Sequence, residues 1–402
     1  MHLKKPYFFI KIFLFTSIIL PSGSVAGINV KMLLMLLLVF IFALYRKGVL
    51  VVKLVRVLIP IVVLLLLFML YSYIINKNSE FIISQAKDIL TFSIMAGIAY
   101  AFVEKEDYES VVFTTIIKAL IVCAVFKFFI FIYAALTATN VSSIVRAVSG
   151  LFGVQIMTFD VDGAAIGRVG FTSDVIIPFV LFVLFKKNIH DRDFKYLKIT
   201  IAILLFSVFI SMSRFYWAST ITVFLMASVG AVNKKKSLVY MFSILVATLA
   251  ILSTESAQKM IESRMSSENN NYSDGIRELQ AELIARSIET APILGHGIGY
   301  YIPSFIRSTD DKYSYELQIQ ALIMQLGVVG VALFILIVFL VLITRSSKLN
   351  LIDKVNFLLL IGLWFSSGLF NPVLFSSSGG IAFLMLYIIP DLKPLKRDVC
   401  ES

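Results

Sequence analysis

Apolar runs of membrane-crossing length follow one another along almost the whole chain, with short polar interruptions between them. They fall near residues 8–27, 29–45, 57–76, 88–104, 110–136, 172–185, 198–212, 215–232, 238–254, 317–344, 355–370 and 374–390. Roughly 17–25 apolar residues in helical form cross the ~30 Å hydrocarbon layer, where only helices and closed barrels satisfy their own backbone. The ~10-residue alternation of a membrane barrel is missing. The pattern therefore predicts an all-α polytopic membrane protein with about twelve transmembrane helices.

Composition supports this class: of 402 residues, 59% are hydrophobic and 15% charged, and mean hydropathy is +0.92. A soluble core has no room for so much apolar surface. Basic residues cluster in alternate interruptions: Arg46, Lys47, Lys53 and Arg56; Lys186, Lys187, Arg192, Lys195 and Lys198; Lys234, Lys235 and Lys236; and Lys393, Lys396 and Arg397. By the positive-inside rule these are cytoplasmic, as are both termini. The net charge of +11 is thus a topology signal, and the partner it implies is an anionic leaflet, not nucleic acid. Cys123 and Cys400 give no basis for a disulfide framework or a thiolate metal site. Lys4, Lys5 and the small residues around Ser24 and Ala26 imitate a signal peptide, but an uncleaved first helix is expected.

Two outer segments, about 137–171 and 255–316, are long enough to carry function. In the second, "IRELQAELIARSIET" sets Ile276, Leu279, Leu283 and Ile288 on one stripe, with Glu282 and Arg286 four apart on a polar side. This predicts an amphipathic helix near 275–290. Pro292, Gly295, Gly297 and Gly299 in "APILGHGIGYYIP" then end it with backbone able to approach a ligand closely.

The order of "SMSR" at an outer membrane edge, "SDGIRELQAELIARSIETAPILGHGIGYYIPSF" in a large outer loop and "QLGVVG" in the next helix resembles the O-antigen polymerase (Wzy) and O-antigen ligase superfamily, over roughly residues 165–345. The resemblance implies a bacterial inner-membrane glycosyltransferase with its active site facing the periplasm and no cofactor. Its donor would be an oligosaccharide on undecaprenyl pyrophosphate, and a flippase and a chain-length regulator of the same pathway would be possible partners. Polymerases pass the glycan to another repeat unit; ligases pass it to lipid A-core. Outward arginines engage the pyrophosphate in both.

The residues fit that chemistry, because outer segments carry their positive charge mainly as arginine and a planar guanidinium holds phosphate oxygens in pairs. Arg214 and Arg277 match family positions and are expected to act on the pyrophosphate. Arg168 in "RVGFTSD" is a further candidate, and Arg286 and Gly297 repeat an Arg-to-Gly spacing of some polymerases. Several outer arginines have nearby glutamates, and simple surface pairing is the alternative for them. Where ligases place a histidine relative to Gly327, this chain has Glu316. That departure favours a polymerase and makes Glu316 a candidate general base, with Gln320 one turn further on; the competing reading is that Glu316 pairs with Arg307 or Lys312. His296 is a substrate-binding candidate or an ordinary loop histidine.

Lys127 deep in "CAVFKFFIFIY" is expected to snorkel, since a central lysine costs about 2.5–3.5 kcal/mol and otherwise marks function. Asp160 and Asp162 form one D-x-D able to hold Mg²⁺, but a metal-independent reaction is expected. A flippase, the rival from another class, would show paired halves and broken helices, and no internal repeat is seen; a non-catalytic scaffold is the third reading.

Overall fold

The computed structural model of the chain describes residues 6–20, 24–25, 28–45, 49–76, 79–137, 139–152, 156–160, 167–189, 196–229, 235, 258, 267–308, 311–347 and 349–392. In order come α1 Tyr7–Ile19, a short antiparallel ladder of β1 Ser24–Val25 and β2 Ile28–Asn29, α2 Val30–Leu44, α3 Val49–Asn76 and α4 Ser79–Phe102. A π-helical turn at Tyr108–Phe113 leads into α5 Thr114–Thr137, followed by α6 Val141–Phe152 and a hairpin of β3 Ile156–Asp160 and β4 Gly167–Phe171. The remainder is helical: α7 Ile177–Ile189, α8 Leu197–Ile210, α9 Arg214–Ser228, α10 Ser267–Thr290, α11 Gln318–Ser346, α12 Leu351–Ser367 and α13 Ser377–Ile388.

Among the described residues, four helical stretches are long and apolar enough to cross a membrane: Val49–Ile75, Glu80–Phe102, Lys105–Ala134 and Gln318–Ser346. Other apolar helices are shorter; the 14 residues of α8 reach only about 21 Å. The expected span at 238–254 lies outside the described residues, as do the Lys234, Lys236 and tail clusters. The protein is predominantly helical and membrane-embedded. α3 illustrates why: Val52, Val55, Ile59, Val63, Leu66 and Leu70 are all exposed, which suits hydrocarbon as the surrounding solvent.

α13 is the opposite case, with every residue buried. Gly380 lets it lie against α4, since a Cβ there would meet the Phe92 carbonyl at 2.7 Å. Around it Phe92 stacks on Trp364 at 6.0 Å and Trp364 meets Phe383 at 5.4 Å, while the Trp364 indole donates to the Gly379 carbonyl. These aromatic contacts carry specific geometry as well as apolar area.

Several basic residues read as loop charges belong to helices. α3 begins at Val49, so Lys53 and Arg56 stand on its first turns. Lys186 and Lys187 end α7 and are buried, paired with Asp353 and Glu109; Arg345 pairs with Asp391. Together these pairs tie helix ends into one rim.

Lys127 does not snorkel. It is 0% exposed, and its ammonium lies 2.8 Å from both oxygens of Asp174, itself 1% exposed, and 2.9 Å from Ser207 Oγ. A partner 47 residues away in sequence was invisible to local pattern, and a desolvated charge with such a partner has no reason to reach for water.

Candidate functional site

The "SMSR" turn sets the site's edge. α8 ends at Ile210, Met212 is forced to a left-handed φ of 46°, and α9 starts at Arg214. Non-glycine residues there cost of order 1 kcal/mol, and such strain persists where the surroundings over-determine it. Here Met212 is fully buried, Ser211 Oγ donates to the Val208 carbonyl at 2.6 Å, and Trp217 Nε1 donates to the same carbonyl at 3.1 Å. The result is an arginine on the first residue of a helix. A cation at that positive end of the helix dipole is unfavourable by itself and suits the approach of an anion.

α10 brings the second arginine. Its buried face is centred on Gln280 and Ile284, each 0% exposed, while Leu279 is 46% exposed; this shifts the expected stripe of Ile276, Leu279, Leu283 and Ile288. Ile284, Leu283 and Ile288 pack with Ile302, Tyr315, Ala321 and Met324, so α10 lies on the first turns of α11. Arg277, one turn before Gln280, is thereby held over Glu316.

Charged groups then form a chain. The Arg214 guanidinium donates to Asp274 Oδ1 at 3.2 Å, Arg277 reaches that oxygen at 3.5 Å, and Arg277 Nε donates to Glu316 Oε2 at 2.9 Å. Arg307 donates to the other oxygen, Glu316 Oε1. Arg168 on β4 is close enough for its charge to be felt by Glu316 and Arg277; burial lowers its pKa from the ordinary arginine value, and Tyr216, Asp174 and Glu316 oppose that. Four arginines thus face two carboxylates, which leaves a positive excess. Arg214 remains 42% exposed and Arg277 25%, so donors stay accessible to a ligand.

Glu316 was the expected base, but each of its oxygens accepts from a guanidinium. The Arg307 contact is the competing reading of Glu316, and the Arg277 contact adds a second guanidinium to it. Arg286 stands 71% exposed and pairs with Glu282, on the surface away from this chain. Gln320 is half-buried on the first turn of α11. His296 Nε2 donates to the Ser287 carbonyl at 2.8 Å, near Thr290 Oγ1 at 3.0 Å, and its ring stacks on Tyr300. Asp160 ends β3, and its D-x-D companion Asp162 lies outside the described residues.

Asp274 and Gln280 escaped the sequence reading of the site, whereas Arg307 entered it as the competing partner of Glu316, a pairing the structure shows. The Gln280 side chain is 0% exposed, and neither its oxygen nor its nitrogen has a hydrogen-bond partner among the described residues. A buried amide one turn from Arg277 with unused donors and acceptor is a group available to a polar ligand. A polar residue at the centre of an otherwise apolar stripe is the signal that could have found it.

The glycine-rich segment locks into a break in α11. Gly327 has φ 67° and ψ 177° inside the helix, and a Cβ there would lie 2.1 Å from the Ile293 carbonyl oxygen. The interrupted helix offers its Met324 and Gln325 carbonyls to the His296 and Gly297 amides, both at 2.8 Å, and receives Pro292 and Ile293 carbonyls on the Val328 and Val329 amides. Ser72 on α3 and Gln85 on α4 accept the Ile298 and Gly299 amides. Backbone left unsatisfied by the break is in this way re-satisfied.

Residues 199–335 match the family model described as O-antigen ligase, consistent with the O-antigen polymerase and ligase superfamily. This region contains Arg214, Asp274, Arg277, Arg307, Glu316 and the Gly327 break. No curated protein matches the chain in sequence.

Proposed function

Starting from a membrane-embedded chain with an O-antigen ligase-type region, we propose that this protein is a polysaccharide polymerase. It joins oligosaccharide repeat units carried on undecaprenyl pyrophosphate, at the periplasmic face of the inner membrane. The observation that carries the reading is the chain of Arg214, Asp274, Arg277, Glu316 and Arg307, with Arg168 behind it. Its donors are accessible and its acids hold the guanidinium planes in place, which suits bidentate capture of a pyrophosphate.

In the reaction a sugar hydroxyl of one unit attacks the anomeric carbon of another; the new glycosidic bond forms as the bond to pyrophosphate breaks. The hydroxyl proton leaves to a base or to solvent, and undecaprenyl pyrophosphate departs. Pyrophosphate is already a good leaving group, so charge stabilisation and alignment supply most of the acceleration. Arg214 and Arg277 stabilise the departing oxygens, Glu316 positions Arg277 and Arg307, and Gln280, one turn from Arg277, offers a sugar hydroxyl an amide unpartnered among the described residues.

The family model's own description favours a second reading, a ligase that transfers the glycan to lipid A-core. Purified protein given only lipid-linked repeat units separates the readings. Chain growth supports the polymerase; transfer only on addition of lipid A-core supports the ligase; movement of the lipid across vesicles without either makes it a flippase.

A further inference from the structure

A polymerase must hold two lipid-linked substrates at once, and the attacking hydroxyl of the acceptor lies a whole repeat unit from its own lipid. The acceptor's carrier therefore belongs apart from the arginines that hold the donor pyrophosphate. This inference rests on the polymerase reading.

The structure offers such a place. Between α3, α4, α11 and α13 runs a partly open groove of about 520 Å³. Its lining is almost wholly apolar and extends along α11 from Leu326 to Arg345, about 28 Å at the helical rise of ~1.5 Å per residue. That is close to the ~30 Å hydrocarbon thickness. Gly97 and Gly330 keep it wide, and Phe68 and Phe334 form part of its walls.

A second observation lies at the groove's outer end. Asp88 precedes the lining residue Ile89, and Ser377 follows the lining residue Phe375 by two positions. The Tyr313 hydroxyl donates to Asp88 Oδ2 at 2.6 Å and lies 3.3 Å from Ser84 Oγ, and Lys31 Nζ donates to Ser377 Oγ at 2.9 Å. Lys312 sits over the Phe81 and Tyr301 rings, 5.5 Å from each centroid. Here the Lys31 and Lys312 ammonium groups suit a phosphorylated head, and the Asp88–Tyr313 pair with the neighbouring aromatic faces suits the sugars that follow it. This border contrasts with the arginine excess of the donor site. α10 covers the Ala321 and Met324 side of α11, whereas the groove takes the Leu326, Gly330 and Phe334 side, so the two regions occupy different faces of one helix.

We propose that this groove binds the polyisoprenoid chain of the acceptor lipid, with its phosphorylated head at Lys31 and its first sugar at Asp88 and Tyr313. Gly97→Leu is the direct test, because a Cβ at Gly97 meets only Leu54 Cδ1 at 3.4 Å and a longer side chain narrows the groove. A single transfer is measured at a saturating undecaprenyl donor whose attacking hydroxyl is blocked, with acceptor units on either an undecaprenyl or a geranyl chain. The expected result is a rise of about tenfold in KM for the undecaprenyl acceptor, with KM for the geranyl acceptor and for the donor unchanged. A rise in donor KM alone assigns the groove to the donor and overturns the proposal; so does an unchanged KM for both acceptors, which leaves the groove to ordinary phospholipid. An independent measurement uses wild-type protein and an undecaprenyl-linked unit with a photoreactive chain end. Crosslinks on α3 and α11 competed away by geranyl-linked acceptor support the site, and crosslinks confined to other helices refute it. If wild-type protein shows no chain growth, the polymerase reading fails; if it grows chains that Gly97→Leu leaves untouched, only this inference fails.

Discussion

Replacing Asp174 by Asn should damage the protein more than replacing Asp174 and Lys127 together by apolar residues. The pair is 1% and 0% exposed, so neither member has water to turn to. Asp174→Asn leaves the Lys127 ammonium with Ser207 alone, and stranding a buried charge costs about 3–5 kcal/mol. Lys127→Met strands the carboxylate at a similar cost. Lys127→Met with Asp174→Leu removes both charges together, and apolar replacement of a buried pair is neutral or stabilising by about 1–4 kcal/mol. Against that gain, the Phe171 amide loses its acceptor Asp174 Oδ2, a loss of about 1–3 kcal/mol. The double variant should therefore fall within about 2 kcal/mol of wild type, and with Asp174→Leu, which strands Lys127 as Asp174→Asn does, as the matching single in the double-mutant cycle, the coupling should be at least about 4 kcal/mol. Reversible unfolding in mixed micelles reads all of these proteins, and salt should barely alter the coupling because buried pairs are weakly screened. Single variants within about 1 kcal/mol of wild type, or a double variant equal to the sum of the singles, would refute the reasoning.

Arg214→Lys and Arg277→Lys keep the charge and lose the paired donors; each should lower chain growth about ten- to a hundredfold, a loss of roughly 1.5–3 kcal/mol, and wild-type product lengths at normal expression would argue against a pyrophosphate role. Glu316→Gln should raise donor KM with kcat and its pH profile little changed, since Arg277 and Arg307 lose their anchor; a collapse of kcat alone would instead restore Glu316 as the base. Gly327→Ala should abolish folded protein, because its Cβ has 2.1 Å where the Ile293 carbonyl stands, whereas Gly275→Ala, with nothing within 4 Å, should be neutral or stabilising by about 0.5–1 kcal/mol in thermal melts. Cysteine introduced at Ser267 should react with an impermeant thiol reagent in spheroplasts and cysteine at Ser237 should not; the reverse pattern inverts the topology.

What the sequence made legible followed from periodicity and charge type. Apolar runs announced most helices, and an amphipathic pattern announced α10, although its buried centre proved to be Gln280 and Ile284 because Arg277 also turns inward. Pairings between distant segments were not legible. Asp274 meets Arg214 across 60 residues and Lys127 meets Asp174 across 47, and nothing local to either partner encodes the other. The hairpin that carries Arg168 was hidden within an outer loop, since its strands are short and one flank is polar. In the sequence Gly327 was only the first glycine of a G-x-x-G within a helix; its φ of 67° and ψ of 177°, with the close approach of Ile293 and Gly295, show that it breaks the helix.

The lock between residues 292–297 and 324–329 has an evolutionary consequence. It cinches the intervening chain into a module whose two stems are fastened together by main-chain bonds, so the interior can be rewritten without disturbing how it is mounted. Arg307, Tyr313 and Glu316 all lie inside that module. On the polymerase reading, a lineage exploring new glycans can therefore change the module's contents while inheriting the same mounting, provided the glycines at its stems are kept. Exchange of residues 298–323 between related proteins should transfer glycan preference as a unit, whereas exchanges with an end inside either stem should yield protein that does not fold.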